Sequence, residues 1–277
     1  MNTQPCPPVG LGKSALLSWL KGLLSSHGLK ALDRLGQNFL VDPRGVEAFA
    51  RQAEELAMSP LLEVGPGACI LTYRLYRVTP RLAAVEIDHG LAWACSAVAA
   101  ECMPAATILR GDGVQAAQAW RAPLIVSNTP YNITTRLIAG AARNNSVKAM
   151  ILGMQLEVAR RILAEPGTAD YGRITILARR YFRARMVAVL PRSYYYPQPR
   201  VNGAIVTLER TRKWSSGDEV LEEVAKCLFT GRRRLASKMA RECSRRLGIE
   251  LCSRGLGDKR VYQLYPEDVE EMVKCGN

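Results

Sequence analysis

Apolar residues at positions 16, 17, 20, 23 and 24 recur at helical spacing and predict an amphipathic helix that ends near Gly28. From about residue 59 the pattern changes, and short apolar runs alternate with helical stretches. Residues 61–64, 82–87, 107–109, 124–126 and 149–152 predict five strands with helices between them, which is the pattern of a doubly wound parallel α/β sheet. Two further runs, 186–190 and 204–208, flank a loop from Pro191 to Gly203 and predict a hairpin-like pair at one sheet edge, bringing the sheet to seven strands. Past Arg210, residues 214–217 read as a linker, and the pattern is helical from Asp218 onward. The expected organisation is a helical N-terminal extension over 1–30, an α/β domain over 31–210 and a small helical domain over 211–277.

Charge sharpens this picture. The chain of 277 residues has 38 Lys and Arg against 25 Asp and Glu, net +13. Residues 1–170 contribute 16 basic against 13 acidic side chains, net +3; residues 171–277 contribute 22 against 12, net +10. The excess belongs to the C-terminal part, where Arg232-Arg233-Arg234 and Arg245-Arg246 sit among Leu and Ala. A basic face of that size implies a polyanion partner, and nucleic acid fits better than a membrane because the basic segments lack a broad Trp/Phe-rich face. No apolar run approaches the ~20 residues of a membrane-spanning helix. Eight cysteines are scattered without a C-x-x-C pair, and His27 and His89 are the only histidines, which argues against a metal site and for a reducing, cytoplasmic setting. Residues 1–32 hold Lys13, Lys21 and Lys30 and no acid, as a mitochondrial transit segment would; the absence of arginine there favours a folded helix.

Candidate chemistry lies at the strand ends. The first strand runs into Glu63-Val64-Gly65-Pro66-Gly67, where two glycines let the backbone approach a ligand and a helix start favours negative charge. Glu86, 21 residues after Gly65, can accept both ribose hydroxyls of a nucleoside, and Asp112 after the third strand can accept from an adenine amino group. A dinucleotide fingerprint wants glycine at the position of Ile70, so the cleft suits S-adenosylmethionine, which lacks a pyrophosphate, better than NAD. After the apolar run 124–126 come Asn128, Pro130 and Tyr131: an amide, a stiff backbone and an aromatic face, suited to a flat, amine-bearing base.

With these residues in order, the chain resembles the rRNA adenine N6,N6-dimethyltransferases, the family of the small-subunit rRNA dimethyladenosine transferases and their large-subunit relatives. Gln37-Asn38-Phe39-Leu40 resembles the family's N-terminal signature, Glu63 to Gly67 its glycine loop, Glu86-Ile87-Asp88 its ribose acid, Gly111-Asp112 its adenine acid and Asn128-Thr129-Pro130-Tyr131 its catalytic loop. Gln155 to Ala159 with Tyr171-Gly172-Arg173 resembles the segment after the fifth strand, and Tyr195-Tyr196-Pro197-Gln198-Pro199-Arg200-Val201 the loop that closes over the target base. The family usually has glycine where Cys69 stands and leucine where Thr129 stands.

The resemblance implies a Rossmann-like class I methyltransferase with S-adenosylmethionine as cofactor, bound by Asn38, Leu40, Gly65, Gly67, Glu86, Asp112 and Asn128. It implies dimethylation of adenines in small-subunit rRNA during ribosome biogenesis, by a monomer acting on the immature subunit. Asn128 and the Pro130 carbonyl would accept hydrogen bonds from N6 and aim its lone pair at the methyl group, while Tyr131 and Tyr195 stack on the extruded adenine. Arg232, Arg233 and Arg234 are expected to hold RNA phosphates. A non-catalytic rRNA-binding assembly factor of the same fold and a large-subunit rRNA adenine methyltransferase are the alternatives.

Overall fold

The computed structural model describes residues 5–32, 36–130 and 132–274. In chain order the elements are α1 (Lys13–Ser26), β1 (Phe39–Leu40), α2 (Pro43–Leu56), β2 (Leu61–Val64), α3 (Ile70–Tyr76), β3 (Leu82–Glu86), α4 (His89–Cys102), β4 (Thr107–Arg110), α5 (Gly113–Ala119), β5 (Leu124–Asn128), α6 (Thr134–Arg143), β6 (Ala149–Gln155), α7 (Leu156–Leu163), α8 (Arg173–Tyr181), β7 (Phe182–Leu190), β8 (Tyr195–Tyr196), β9 (Gly203–Arg210), α9 (Asp218–Leu228), α10 (Ala236–Leu247) and α11 (Pro266–Lys274). Among the described residues, seven strands form one sheet in the order β4-β3-β2-β5-β6-β9-β7. Strands β2 to β6 pair in parallel, and β9 joins β6 antiparallel, from Ala149 opposite Glu209 to Gln155 opposite Gly203. The seven expected strands are all present, with β7 and β9 adjacent at one edge.

The central strands form where they do because each is a short apolar run buried on both faces, whereas β4 and β7 at the sheet edges are largely exposed or half-buried. In β2 all four residues are buried, as are the first six of β6. Acidic side chains at the strand ends start the following helices. Asp88 Oδ1 accepts from the Leu91 N–H at 3.0 Å to cap α4, and Asp112 Oδ1 accepts from Val114 N–H at 2.7 Å to cap α5. At α2, Asp42 caps and Pro43 occupies the first turn, where its missing N–H costs nothing. The strand order reverses between β2 and β5, so their C-terminal ends open a crevice.

The chain divides into two compact units, one of residues 1–159 and 185–209, the other of residues 160–184 and 210–277. In the first, the N-terminal helix is part of the core: Leu16, Trp19, Leu20 and Leu24 of α1 are buried in the same cluster as Phe49, Leu61 and Val126. The second is helical, and its core joins Tyr171 and Ile176 to Leu228, Met239 and Val261. Residues 160–184, which the sequence pattern assigns to the α/β domain, therefore group with the C-terminal helices, because α8 buries its apolar stripe among them. Inside this unit Arg180 is almost fully buried and donates to Asp218 at 2.6 Å and Glu270 at 3.0 Å. The Tyr171 hydroxyl donates to the Leu264 carbonyl.

The cysteines correct one expectation. Cys6 is bonded to Cys102, Cys69 to Cys95 and Cys227 to Cys243, and Cys252 is also disulfide-bonded. Partners lie 96, 26 and 16 residues apart, so their spacing along the chain carries no trace of the pairing, and scatter is no evidence for reduced thiols. No described helix is long and apolar enough to cross a membrane.

Candidate active site

A cleft at the carboxyl ends of β2, β3 and β5 is lined by Asn38, Leu40, Gly65, Gly67, Glu86, Asp112, Asn128, Pro130 and Tyr195, so the tertiary fold brings together nine of the expected site residues. Tyr131 lies outside the described residues. The glycine loop is shaped by local backbone need. Gly65 and Gly67 have φ of 73° and 56°, in the left-handed region that a side chain disfavours, and a Cβ on Gly67 would stand 3.1 Å from the Phe39 ring.

Glu86 holds this loop in place. Its Oε2 accepts from the Gly67 N–H and its Oε1 from the Asp88 N–H, both at 3.0 Å. Burial raises its pKa, against the pull of those backbone donors. Asp112 commits Oδ1 to its helix cap, while Oδ2 lies 3.9 Å from the Arg136 guanidinium. Cys69, at φ 65°, is fully buried and turned onto Cys95 of α4, so it ties the loop to the helix after β3 and adds no side chain to the cleft.

At the end of β5 the Asn128 amide donates through Nδ2 to the Asn38 carbonyl at 3.2 Å. That bond fixes the carboxamide plane and leaves Oδ1 as an acceptor beside the cleft. The Pro130 carbonyl accepts from the Ile133 N–H at 3.1 Å with one lone pair, and its second remains. Tyr195 is buried in β8, which pairs antiparallel with β1, so that Leu40 faces Tyr195 in register and the aromatic loop is bonded to the N-terminal signature.

Two residues of this site escape sequence reasoning. Glu63 lines the cleft from inside β2, is fully buried, and leaves Oε2 without a hydrogen bond. Burial pushes its pKa up to about 8; the nearby Thr72 hydroxyl pulls the other way but completes no hydrogen bond of good geometry, and the Glu86 charge adds to the rise. The signal in the sequence is an acid inside an otherwise apolar strand. Gly153 on β6 pairs with Asn128, and a Cβ there would lie 2.7 Å from the Phe49 ring and 2.9 Å from Asn128 Oδ1. Only glycine leaves the amide its place.

The arginine triplet is split by its surroundings. Arg232 donates through Nε to the Tyr171 carbonyl at 2.8 Å and through a terminal nitrogen to the Thr168 carbonyl at 3.1 Å, and its guanidinium sits 5.3 Å from the Tyr262 ring. Half-buried, it clamps the loop before α8 onto the helical unit, while its neighbours in the triplet are exposed. Arg234 pairs with Glu242 at 2.7 Å, and Arg233 is exposed. Arg234 also belongs to a cationic groove with Lys238, Arg241 and Arg245, the last three at i, i+3 and i+7 of α10.

Residues 28–272 match the model of a family described as ribosomal RNA adenine dimethylase. A protein of Aeropyrum pernix named probable ribosomal RNA small subunit methyltransferase A is 42% identical over 223 residues, 79% of each chain. A Pyrobaculum aerophilum protein of the same name is 34% identical over 244 residues, 87% of this chain and 96% of its own. Among solved structures, a dimethyladenosine transferase from Plasmodium falciparum superposes with a TM-score of 0.68 at 20% identity, over 83% of this chain and 94% of the other, a likeness of fold.

Proposed function

From a chain that belongs to the ribosomal RNA adenine dimethylase family, we infer an S-adenosylmethionine-dependent rRNA adenine N6,N6-dimethyltransferase that acts on small-subunit rRNA. The observation that carries this reading is the Asn128 amide, anchored through Nδ2 so that Oδ1 is presented as an acceptor. The residues present fit the cofactor. Gly65 and Gly67 put no side chain at two positions of the loop, Glu86 and Asp112 offer carboxylates for ribose and adenine, and the buried Glu63 leaves an oxygen unpartnered beside them. Asn38 and Leu40 complete the wall.

When bound, S-adenosylmethionine supplies an electrophilic methyl group on a sulfonium sulfur. The chain's own task is to present the adenine amine, whose lone pair is delocalised into the ring. Asn128 Oδ1 and the Pro130 carbonyl accept its two N–H bonds and turn the lone pair toward the methyl group. Tyr195 and Tyr131 hold the extruded base by stacking. Catalysis here is positional, since the leaving thioether is neutral and needs no acid, and the proton that N6 sheds at each transfer passes to solvent.

Cys69, where the family usually has glycine, is buried with its side chain outside the cleft, so this departure lends no support to a binding factor without turnover. Arg233, Arg234 and the α10 stripe are the residues proposed to meet RNA phosphates, with a contribution that is independent of sequence and weakened by salt. The enzyme is proposed to work as a cytoplasmic monomer on the immature small subunit. Its disulfides do not decide the compartment, since intracellular proteins of hyperthermophiles also carry them. The test is to incubate the protein with labelled S-adenosylmethionine and, in parallel, with immature small subunits and immature large subunits, and map the modified nucleosides. Dimethyladenosine in small-subunit rRNA made by the wild type and lost in Asn128→Ala supports the reading; label in large-subunit rRNA, or none, overturns it.

A further inference from the structure

Helix α1 precedes the span that matches the family, which begins at residue 28, yet it is built into the core of the unit that holds the cleft. Its apolar side is buried through Leu16, Trp19, Leu20 and Leu24, and its outer side carries Lys13 and Lys21 and no acid. Both lysines reach the loop that delivers Tyr195 to the cleft. Lys13 Nζ donates to the Ser193 carbonyl at 2.5 Å, and Lys21 Nζ lies 5.2 Å from the centroid of the Tyr196 ring. From the start of α2, the Arg44 guanidinium stacks 4.8 Å from the Tyr194 ring while it pairs with Asp42. Tyr194 ends a 3-10 turn and Tyr195–Tyr196 form the short strand β8, so Tyr195 is buried while its half-buried neighbours Tyr194 and Tyr196 sit beside cations.

Cations interleaved with aromatic rings are what binds single-stranded nucleic acid: the rings stack on bases, and the charges meet the phosphates. An adenosine drawn into the cleft must trail its neighbouring nucleotides across this edge. Resting on the function proposed above, we propose that α1 and the Tyr194–Tyr196 edge form a lip that grips the single-stranded RNA flanking the target adenosine. Lys13 and Lys21 neutralise its phosphates, and Tyr194 and Tyr196 support its bases. The lip sits beside the cleft within the same unit, and it supplies affinity for RNA rather than chemistry.

The test uses the full chain with Lys13→Gln and Lys21→Gln combined, both residues being exposed. Binding of a short single-stranded RNA of mixed sequence is followed by fluorescence anisotropy across a salt series, beside S-adenosylmethionine affinity and kcat and KM for rRNA. The expected result is RNA binding about tenfold weaker at moderate salt, with the logarithmic salt slope reduced by about 1.4 for two phosphates on a single strand. KM for rRNA rises, kcat and cofactor affinity hold, and Lys13→Arg with Lys21→Arg restores binding. Unchanged RNA affinity and slope overturn the lip. So does a loss confined to kcat and insensitive to salt, which would make the lysines mere props of the loop. Wild-type protein that binds the oligonucleotide but methylates no rRNA refutes the proposed function and leaves the lip standing.

Discussion

Glu63→Gln isolates the effect of one buried carboxyl on both stability and cofactor binding. In the folded chain its pKa stands at about 8, against an ordinary 4.5. The sign follows from the raised value: stability is full below pH 4.5, where both states are protonated, and declines up to pH 8, because the unfolded chain ionises first. A rise of this size has a ceiling of about 5 kcal/mol, of which about 3 kcal/mol is already lost at pH 7. Gln cannot ionise, so the variant's melting temperature should change less between pH 5 and pH 8 than that of the wild type. Its gain near neutral pH is reduced by the cost of burying an amide, about 1–3 kcal/mol.

Cofactor binding reverses the balance at this residue. S-adenosylmethionine brings positive charge into the cleft that Glu63 lines, which favours the carboxylate. With a pKa of about 8, roughly nine-tenths of the free enzyme holds this proton at pH 7, so binding should release up to about 0.9 proton. Calorimetry in phosphate and in Tris, whose ionisation enthalpies differ, reads the release directly. Glu63→Gln should show a smaller release, by the share that Glu63 contributes. Equal release from both proteins, together with parallel pH profiles of melting, would refute the assignment of a neutral buried carboxyl.

Glu86→Ala should weaken S-adenosylmethionine binding by about 1–3 kcal/mol in calorimetry, since it removes the proposed ribose acceptor and also frees the Gly67 N–H that the carboxylate holds at 3.0 Å. In Gly153→Ala the new methyl must displace Phe49 or Asn128, so single-turnover methylation should fall about tenfold or more while cofactor affinity, read separately, stays near wild type. Asp218→Ala leaves Arg180 buried with a partner gone and should cost the helical unit about 3–5 kcal/mol, visible as an earlier thermal transition. Glu270 is held below the ordinary carboxylate range by hydrogen bonds from Arg212, Lys274 and Arg180, so its contribution is present above pH 4.5 and lost as pH falls further; a Glu270→Gln variant should flatten acid unfolding followed by circular dichroism.

Much of the α/β unit was legible along the chain because the information is local. A buried parallel strand is a short apolar run, a tight turn toward a ligand needs glycine at Gly65 and Gly67, and the residue after a strand end must cap the next helix, as Asp88 and Asp112 do. The candidate cleft is legible in the sequence for the same reason, since its groups follow successive strands and an open α/β sheet gathers such positions at one edge.

Contacts between distant residues decided the rest. The entry of β9 between β6 and β7 is a choice of pairing partner, not of pattern. Residues 160–184 alternate like any sheet-covering segment, and only packing sends α8 to the C-terminal helices. Arg232 and Arg233 are alike in sequence, yet carbonyls 61 and 64 residues away take Arg232 into the structure while Arg233 stays exposed. Gly153 becomes indispensable only when Asn128 lies across from it, and Glu63 acquires its pKa only when the fold strips it of water. Periodicity fixes what each segment forms; burial, charge and pairing across the chain fix what each side chain can do.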